Sequence, residues 1–537
     1  MICDPAEGRI PGSHALIAAL ALAAAGGGLR NGFVYDDVAA IVQNPLVHSL
    51  AGTARIWTSS YWPAGLLYRP LTIQLFAIEW WLGGGAAWPF HLTNVVLYAV
   101  VSALVYRLAR RLLSGEGALA AGSLFAAHPV HVEVVANSVG QSELLASFAI
   151  LLGVERYLAF RERGGLGAGR RAALALLGAA AIAAKETGYV FPLLLAGAEI
   201  FVVADPAPRR DRRRAVVPVF ALLGAVMVIG LLVRVVVFTE FKGEVTSLPL
   251  RGLGVGERAI AMLAVVPQWA RLLLWPAHLQ AEYGPPGIPI SASPGVVHLL
   301  GVGWIAAGAA LLAWAWSRAP VVGFGVAWAA IALLPVSNVL TATGLLLAER
   351  NLFLPSVGVV LAAGYLVTIV ARWGRGTSRQ AGLLALRGVL LALVVAGVVR
   401  SAWRTTVWRD QAGFFERLER DAPRAYRAHL VAGRYFVSAG RLAAAESAFS
   451  SARALYRDDP AVYEELGQIH RSRKRCDRAV PIFAEGLGRH PGAILLRSRL
   501  IECLLAVGDT VRARTLAREA VDRGQSEFTA ALRRLER

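Results

Sequence analysis

HALIAALALAAAGGGLRNGFVYDD, His14 to Asp37, is an apolar run from Ala15 to Leu29 that leads within a few residues to two adjacent carboxylates, Asp36 and Asp37. The run approaches the roughly 20 apolar residues needed to cross a bilayer. Its leading segment, MICDPAEGRIPGSH, has no positive n-region, and no A-x-A-like cleavage site precedes the loop. That predicts a retained first membrane helix rather than a signal peptide. With 56% hydrophobic and 17% charged residues over 537 positions, the chain is excluded from the ordinary soluble and the disordered classes.

Similar runs recur along the chain. The expected spans are His14 to Leu29, Phe90 to Tyr106, Gly117 to Ala127, Ser142 to Phe160, Ala172 to Ala184, Thr187 to Val203, Ala215 to Phe238, Val296 to Trp316, Val321 to Leu340, Leu352 to Val370 and Leu383 to Val399, eleven in all. A further stretch, Ala259 to Leu279, is interrupted by Pro267, Arg271 and Pro276 and is expected to be re-entrant or interfacial. The formal charge of +19 sits largely between runs, as in RLARR (Arg107 to Arg111), RERGG (Arg161 to Gly165), RRDRRR (Arg209 to Arg214) and the segment Arg372 to Arg387. Basic loops of this kind mark the cytoplasmic side and account for the charge without nucleic acid. An odd number of spans with the N-terminus inside puts residues 31–89 and everything after Arg400 outside. The richness in alanine, glycine and arginine is that of a GC-rich bacterium, which would place the chain in the inner membrane. Three cysteines, Cys3, Cys476 and Cys503, include no close pair to suggest a disulfide framework or metal knuckle, and they leave the redox compartment undetermined.

After residues 1–402 the material changes. From Trp403 the chain is polar and arginine-rich, and at a period of 34 Ala445, Ala479 and Ala513 align, as do Phe449, Phe483 and Ala517. Gly433 aligns with Gly467 and Gly440 with Gly508, while Leu466 matches Leu500 and Pro491 closes the second repeat. Small residues where two helices touch and a large one a turn later are what a helical solenoid requires. Residues 403–537 thus resemble tetratricopeptide repeats, at about 426–459, 460–493 and 494–527, which bind peptides or proteins in a concave groove.

The double acid is followed by an aromatic-rich stretch, with Trp57, Tyr61, Trp62, Tyr68, Trp80, Trp81 and Trp88, which suggests helices lying in the headgroup layer. Further ionisable residues cluster at span ends expected on the same side: His128, His131 and Glu133 in HPVHVE, Glu143 in GQSELL, Lys185 and Glu186 in AAKETGY, and Glu349 and Arg350 in LLLAERNLFLPS. Charges at a membrane rim are costly, so a cluster there is a functional-site hypothesis. The His128–His131–Glu133 spacing also admits a metal.

These motifs in order, NGFVYDD, YRPLT (Tyr68 to Thr72), the H-x-x-N at His91 to Asn94, LFAAHPVHVEVVANSVGQSELLA (Leu124 to Ala146), AAKETG and AERNLFLPSVG (Ala348 to Gly358), ahead of the repeats, resemble the TMTC type of protein O-mannosyltransferase in the GT-C superfamily. The loop FTEFKGEVTSLPL lacks the Asp-Asn-Pro of that pattern. The resemblance implies an all-α, multispanning GT-C-like membrane domain followed by an α-solenoid. It also implies a sugar donor on a polyprenyl phosphate, such as a mannose carrier, used on the non-cytoplasmic face, with the leading Asp36 of the acid pair as base.

The chemistry agrees. A hydroxyl acceptor needs a carboxylate to take its proton, and the departing phosphate needs cations. Asp36 or Asp37 can serve as base while the other orients the acceptor or binds a divalent cation, and neighbouring carboxylates raise one another's pKa. Arg69, Lys185 and Arg350 are the candidate phosphate ligands, with His128 and His131 in reserve. No isolated nucleophile suggests a covalent intermediate, so single inverting displacement is expected, with a protein Ser or Thr presented by the repeats as acceptor. A scaffold that only anchors repeats needs one span, and a transporter would show a repeated pair of broken helices.

Overall fold

The structure, a computed structural model, describes residues 10–62, 67–163, 165–204, 208–238, 247–373 and 380–536. Cys3, most of the loop that follows Phe238 and residues 374–379 of the basic segment lie outside them. Among the described residues there are helices and turns and no strand, as the all-α expectation requires. The chain divides into two compact units, residues 1–279 with 291–414, and residues 280–290 with 415–537.

The first unit is a helical bundle. Its long helices are α1 (Ser13–Ala25), α4 (Trp88–Leu112), α5 (Gly115–Ala127), α7 (Gln141–Glu162), α8 (Ala168–Ala184), α9 (Phe191–Phe201), α10 (Arg209–Phe238), α13 (Val296–Arg318), α14 (Pro320–Leu333), α15 (Phe353–Trp373) and α16 (Gln380–Thr405). Each coincides with one expected apolar run. Six segments of the described residues are long and apolar enough to cross a bilayer, or seven when α5 is joined across a 44° bend to residues 129–136. The bend has a local cause, because Pro129 supplies no backbone N–H and disfavours helix at the residue before it. Between Ala259 and Leu279 the chain forms two short helices, α11 (Val255–Met262) and α12 (Val266–Leu274), instead of one crossing.

Small residues let these helices approach closely. A side chain at Gly325 of α14 or Gly358 of α15 would collide with the facing backbone, and Gly117 of α5 meets Gly364 of α15 in the same way. The core between α4, α5 and α15 is aromatic: Tyr98, Phe125 and Phe353 surround His131 with ring centroids 4.5–5.8 Å from it.

Residues 31–87 carry the short α2 (Thr53–Ile56) and α3 (Pro70–Gly83), which starts on a proline and is closed by Gly84 at φ 58°. Here the interfacial expectation needs correction. Tyr61, Phe76 and Phe90 are buried in a small core with Ile41 and Ile73, and Trp62 and Trp80 pack on it. Trp57, Trp81 and Trp88 are exposed and remain candidates for the headgroup layer. Aromatic density reported an apolar mini-core as well as a membrane contact.

In the second unit, α18 (Tyr426–Ser438) pairs with α19 (Leu442–Leu455), α20 (Pro460–Ser472) with α21 (Cys476–Arg489), and α22 (Ile494–Ala506) with α23 (Thr510–Asp522), before α24 (Thr529–Glu536). The pairing explains the aligned small residues. A side chain at Gly433 would strike Phe449, and one at Gly467 would strike Phe483. One period later the sizes are exchanged: Ile501 stands in the glycine register and buried Ala517 in the phenylalanine register. Cys476 and Cys503, whose spacing suggests no pairing, are bonded, with Cα atoms 5.0 Å apart. Twenty-seven residues separate them in sequence, and only the stacking of α21 on α22 brings them together.

Candidate functional site at one rim of the bundle

The site is assembled where one end of many helices converges. The chain leaves α1 through Asn31, whose amide donates to the carbonyls of Ala136 (3.3 Å) and Thr405 (3.4 Å), tying the end of α1 to α6 (Val132–Ala136) and to the end of α16. His91 Nε2 contacts the Gly32 carbonyl at 3.3 Å, and the Asn94 amide donates to Val135 (3.3 Å) and Asn137 (2.9 Å). The H-x-x-N motif therefore ties the loop that carries the acids to residues 135–137. Within NGFVYDD the backbone turns left-handed at Tyr35, φ 58°, where the ring stacks on Phe414 at 5.3 Å. A non-glycine residue held in that conformation is a local cost borne at a site.

The two acids part there. Asp37 is buried, and its oxygens accept from the backbone N–H groups of Val34 (3.2 Å) and Val139 (2.9 Å), fastening the loop to residues 138–140. Burial pushes its pKa up to about 7 against those hydrogen bonds, and the Asp36 charge is the smallest of the named contributions. Mutual repulsion, the cause expected from the sequence, is thus secondary to desolvation. Asp36 is partly exposed and lies 3.4 Å from Arg350.

Arg350 is the hub. Its guanidinium is 2.7 Å from Glu133, and its backbone N–H donates to the same carboxylate at 2.9 Å. The adjacent Glu349 is buried. A second group forms around Arg69, which bonds Glu186 through Nε (3.0 Å) and Nη2 (2.8 Å) and lies over the Tyr61 ring at 5.0 Å. Lys185 pairs with buried Glu143. Thr72 of YRPLT donates to the Ala184 carbonyl at 2.9 Å, which fixes α3 to the end of α8 just before Lys185. The two groups share one field, since Arg69 and Arg350 both act on Lys185.

Two residues of this neighbourhood were missed in the sequence. Arg234 lies 3.9 Å from Glu186, and Ser142 accepts from Arg69 at 3.5 Å. A lone arginine within the apolar run Ala215 to Phe238 was the available signal. Conversely, His128 and His131 do not join the cation cluster. His131 is buried between the Tyr98 hydroxyl (3.1 Å) and Ser356 (2.9 Å), while His128 contacts the Leu273 carbonyl (3.1 Å) and accepts from the Val130 N–H (3.3 Å). Their ring nitrogens hold the kink after α5. The metal reading of HPVHVE fails with them, because Glu133 belongs to Arg350, and among the described residues no group of three His, Cys, Asp or Glu could hold an ion.

At the opposite ends of these helices lies a second set of ion pairs: Arg107 and Arg111 with Glu155 (both 2.9 Å), Arg161 and Arg212 with Glu199 (2.9 and 2.8 Å), and Arg387 with Glu116 (2.8 Å). Among the described residues these pairs stand on three separate glutamates.

A family profile described as dolichyl-phosphate-mannose-protein mannosyltransferase matches residues 70–237, and one described as tetratricopeptide repeat matches residues 412–460 and 430–494. Among curated proteins, the chain is 33% identical over 279 residues to Protein O-mannosyl-transferase Tmtc2 of Drosophila melanogaster, an alignment covering 49% of this chain and 29% of that protein. To Protein O-mannosyl-transferase TMTC4 of Homo sapiens it is 27% identical over 472 residues, covering 77% and 62%. To Tmtc1 of Drosophila melanogaster it is 27% identical over 486 residues, covering 72% and 55%. The chain spans less than two thirds of the length of each of these relatives. Together the matches support the TMTC-type, GT-C assignment read from the motifs, with a multispanning membrane domain ahead of tetratricopeptide repeats.

Proposed function

We propose that the chain is a glycosyltransferase that moves a sugar, mannose, from a polyprenyl-phosphate carrier to a Ser or Thr hydroxyl of a protein on the non-cytoplasmic face. The observation that carries this reading is the meeting of Asp36 with Arg350 at the rim that also holds Arg69, Lys185 and Arg234. The mannosyltransferase profile spans Lys185 and Arg234, and the relatives named above are protein O-mannosyl-transferases.

Asp36 accepts the proton of the acceptor hydroxyl as that oxygen forms its bond to the anomeric carbon. The bond from that carbon to the carrier phosphate breaks in the same displacement, inverting the centre, and the negative charge remains on polyprenyl phosphate. Charge growing on the phosphate oxygens is met by guanidinium and ammonium groups already oriented by Glu133, Glu143 and Glu186, so little reorganisation is needed at the moment of transfer. A bridge to one carboxylate uses two of an arginine's five N–H donors, and a phosphate can take others. Asp37, with both oxygens committed to backbone, positions the loop and does not act as the base.

Two observations support the non-cytoplasmic side. The arginine-rich loops end at the rim opposite Asp36, and a disulfide within the repeats needs an oxidising compartment. The bilayer, a lipid-linked donor and an acceptor protein held by the repeats are then the partners.

The test is transfer of radiolabelled mannose from its polyprenyl phosphate to exported proteins by purified protein in nanodiscs. Label on protein in wild type, lost in Asp36→Asn, supports the proposal. Failure with mannose and with every other lipid-linked sugar tried would shift the reading to a membrane scaffold for the repeats.

A further inference from the structure

Residues 280–290, QAEYGPPGIPI, belong by their contacts to the repeat unit, although the chain on both sides of them belongs to the membrane unit. They lie in the connection 275–295 between α12 and α13, which has no helix of its own. Joining those helices does not require so long a path, since a side chain at Gly301 of α13 would strike the Leu263 backbone just before α12. Connections beyond about 15 residues without structure of their own are uncommon in compact domains and usually have a task.

The partners of the segment show what it does. The Tyr426 N–H donates to the Pro285 carbonyl and the Gly287 N–H to the Arg424 carbonyl, both at 3.1 Å, with Pro286 opposite Ala425 in antiparallel register. A β-carbon at Gly287 would crowd the Arg424 oxygen at 3.3 Å, so glycine permits the approach. Arg427 Nε donates to the carboxylate of Glu282 at 3.1 Å, and Glu282, Tyr283 and Ile288 are all buried. Backbone pairing that fixes register, with side chains seated beside it, is how an extended peptide is recognised. Pro285, Pro286 and Pro289 restrict the free segment, so less chain entropy is lost when it docks.

We propose that residues 280–290 are a latch: a peptide from the membrane-domain chain, recognised by Arg424 to Arg427 at the entry to the first repeat and closed by the Glu282–Arg427 pair. The latch keeps the repeats attached independently of the covalent link at residues 414–415. Removing one partner of a buried ion pair strands the other charge, whereas exchanging both keeps the pair. With the latch closed, the repeats hang from the membrane-domain chain at two places instead of one. A shorter tether raises the effective concentration of whatever the repeats bind. The latch needs no transferase activity; only its consequence for an acceptor held by the repeats rests on the transfer proposed above.

The test severs the covalent link and asks what holds. The full chain, in nanodiscs and immobilised through an N-terminal tag, carries the recognition sequence of a site-specific protease between the exposed residues Arg409 and Asp410. After cutting, wild-type repeats should stay on the support through washing. Glu282→Arg and Arg427→Glu should each release them at least about tenfold faster, the effect of breaking a buried charge pair, and the double exchange should restore retention. Release from wild type, retention in both single variants, or a double variant that is no better than the single ones would overturn the latch. A chain that shows no sugar transfer but keeps this pattern would end the transferase reading and leave the latch standing.

Discussion

Asp36 and Asp37 are consecutive carboxylates with different employment, and the difference is testable one residue at a time. Asp36→Asn removes a partly exposed acid beside Arg350, so transfer should fall by ~10²–10⁴-fold, the range for a general base, while the unfolding midpoint holds. Asp37→Asn replaces an acceptor oxygen with a donor facing a backbone N–H, so its first effect should be on stability, by about 1–3 kcal/mol. A variant pair with the opposite ranking would reverse the roles. Asp37 also sets a pH dependence. Because its pKa is raised from 3.8 to about 7 in the folded chain, the folded state holds more protons than the unfolded state between those values. Stability therefore falls as pH rises across that window, by up to about 1.4 kcal/mol per pH unit, and levels off above it. Unfolding midpoints from pH 4.5 to 8 should show this slope in wild type and lose it in Asp37→Asn; an unchanged slope would remove Asp37 as its source. The sequence displayed the acids but not this division, which depends on Val139 coming from another loop. The same holds for His91 and Asn94, legible as a motif and explained only by the loops they tie.

At the scale of elements, the period of 34 made the repeat helices readable, because a glycine facing a phenylalanine leaves its mark in sequence whatever the fold around it. Two features escaped. In the turn register shared by Gly440 (φ 72°) and Gly508 (φ 85°), the middle repeat has Lys474 at φ 59°. A β-carbon costs roughly 1–2 kcal/mol in that region, so Lys474→Gly should raise the unfolding midpoint even though glycine gains chain entropy when unfolded. A midpoint that falls would mean Lys474 makes a compensating contact. The disulfide is the other feature. Closing 27 residues between Cys476 and Cys503 restrains the unfolded chain by about 3–4 kcal/mol on the loop-entropy account, so Cys476→Ser/Cys503→Ser should unfold its repeats at lower denaturant. No change on removing both cysteines would show that the bond adds no stability. Spacing gave no hint of it, since the pair meets only when α21 lies against α22.

For the molecule as a whole, the apolar runs announced where helices lie, and each expected run has its helix. They did not announce which helices cross, because length and hydropathy single out six or seven, while α7, α8, α9 and α14 are shorter or carry charge and owe their place to neighbours. The two rims are more informative than the count. One brings Asp36, Arg69, Lys185 and Arg350 into a single field, and the other spreads Arg107, Arg161 and Arg387 over separate glutamates. If basic loops stay inside, single cysteines placed on the two rims in a background without Cys3, Cys476 and Cys503 must differ in access. Ser49→Cys, on the loop after the acids, should react with an impermeant maleimide on intact cells, and Arg163→Cys, at the far end of α7, only after the membrane is opened. Both positions are exposed, so silence at either reflects the bilayer and not burial. Reaction in the opposite order would put the acid–cation cluster in the cytoplasm, out of reach of exported acceptors, and would end the proposal of transfer to them.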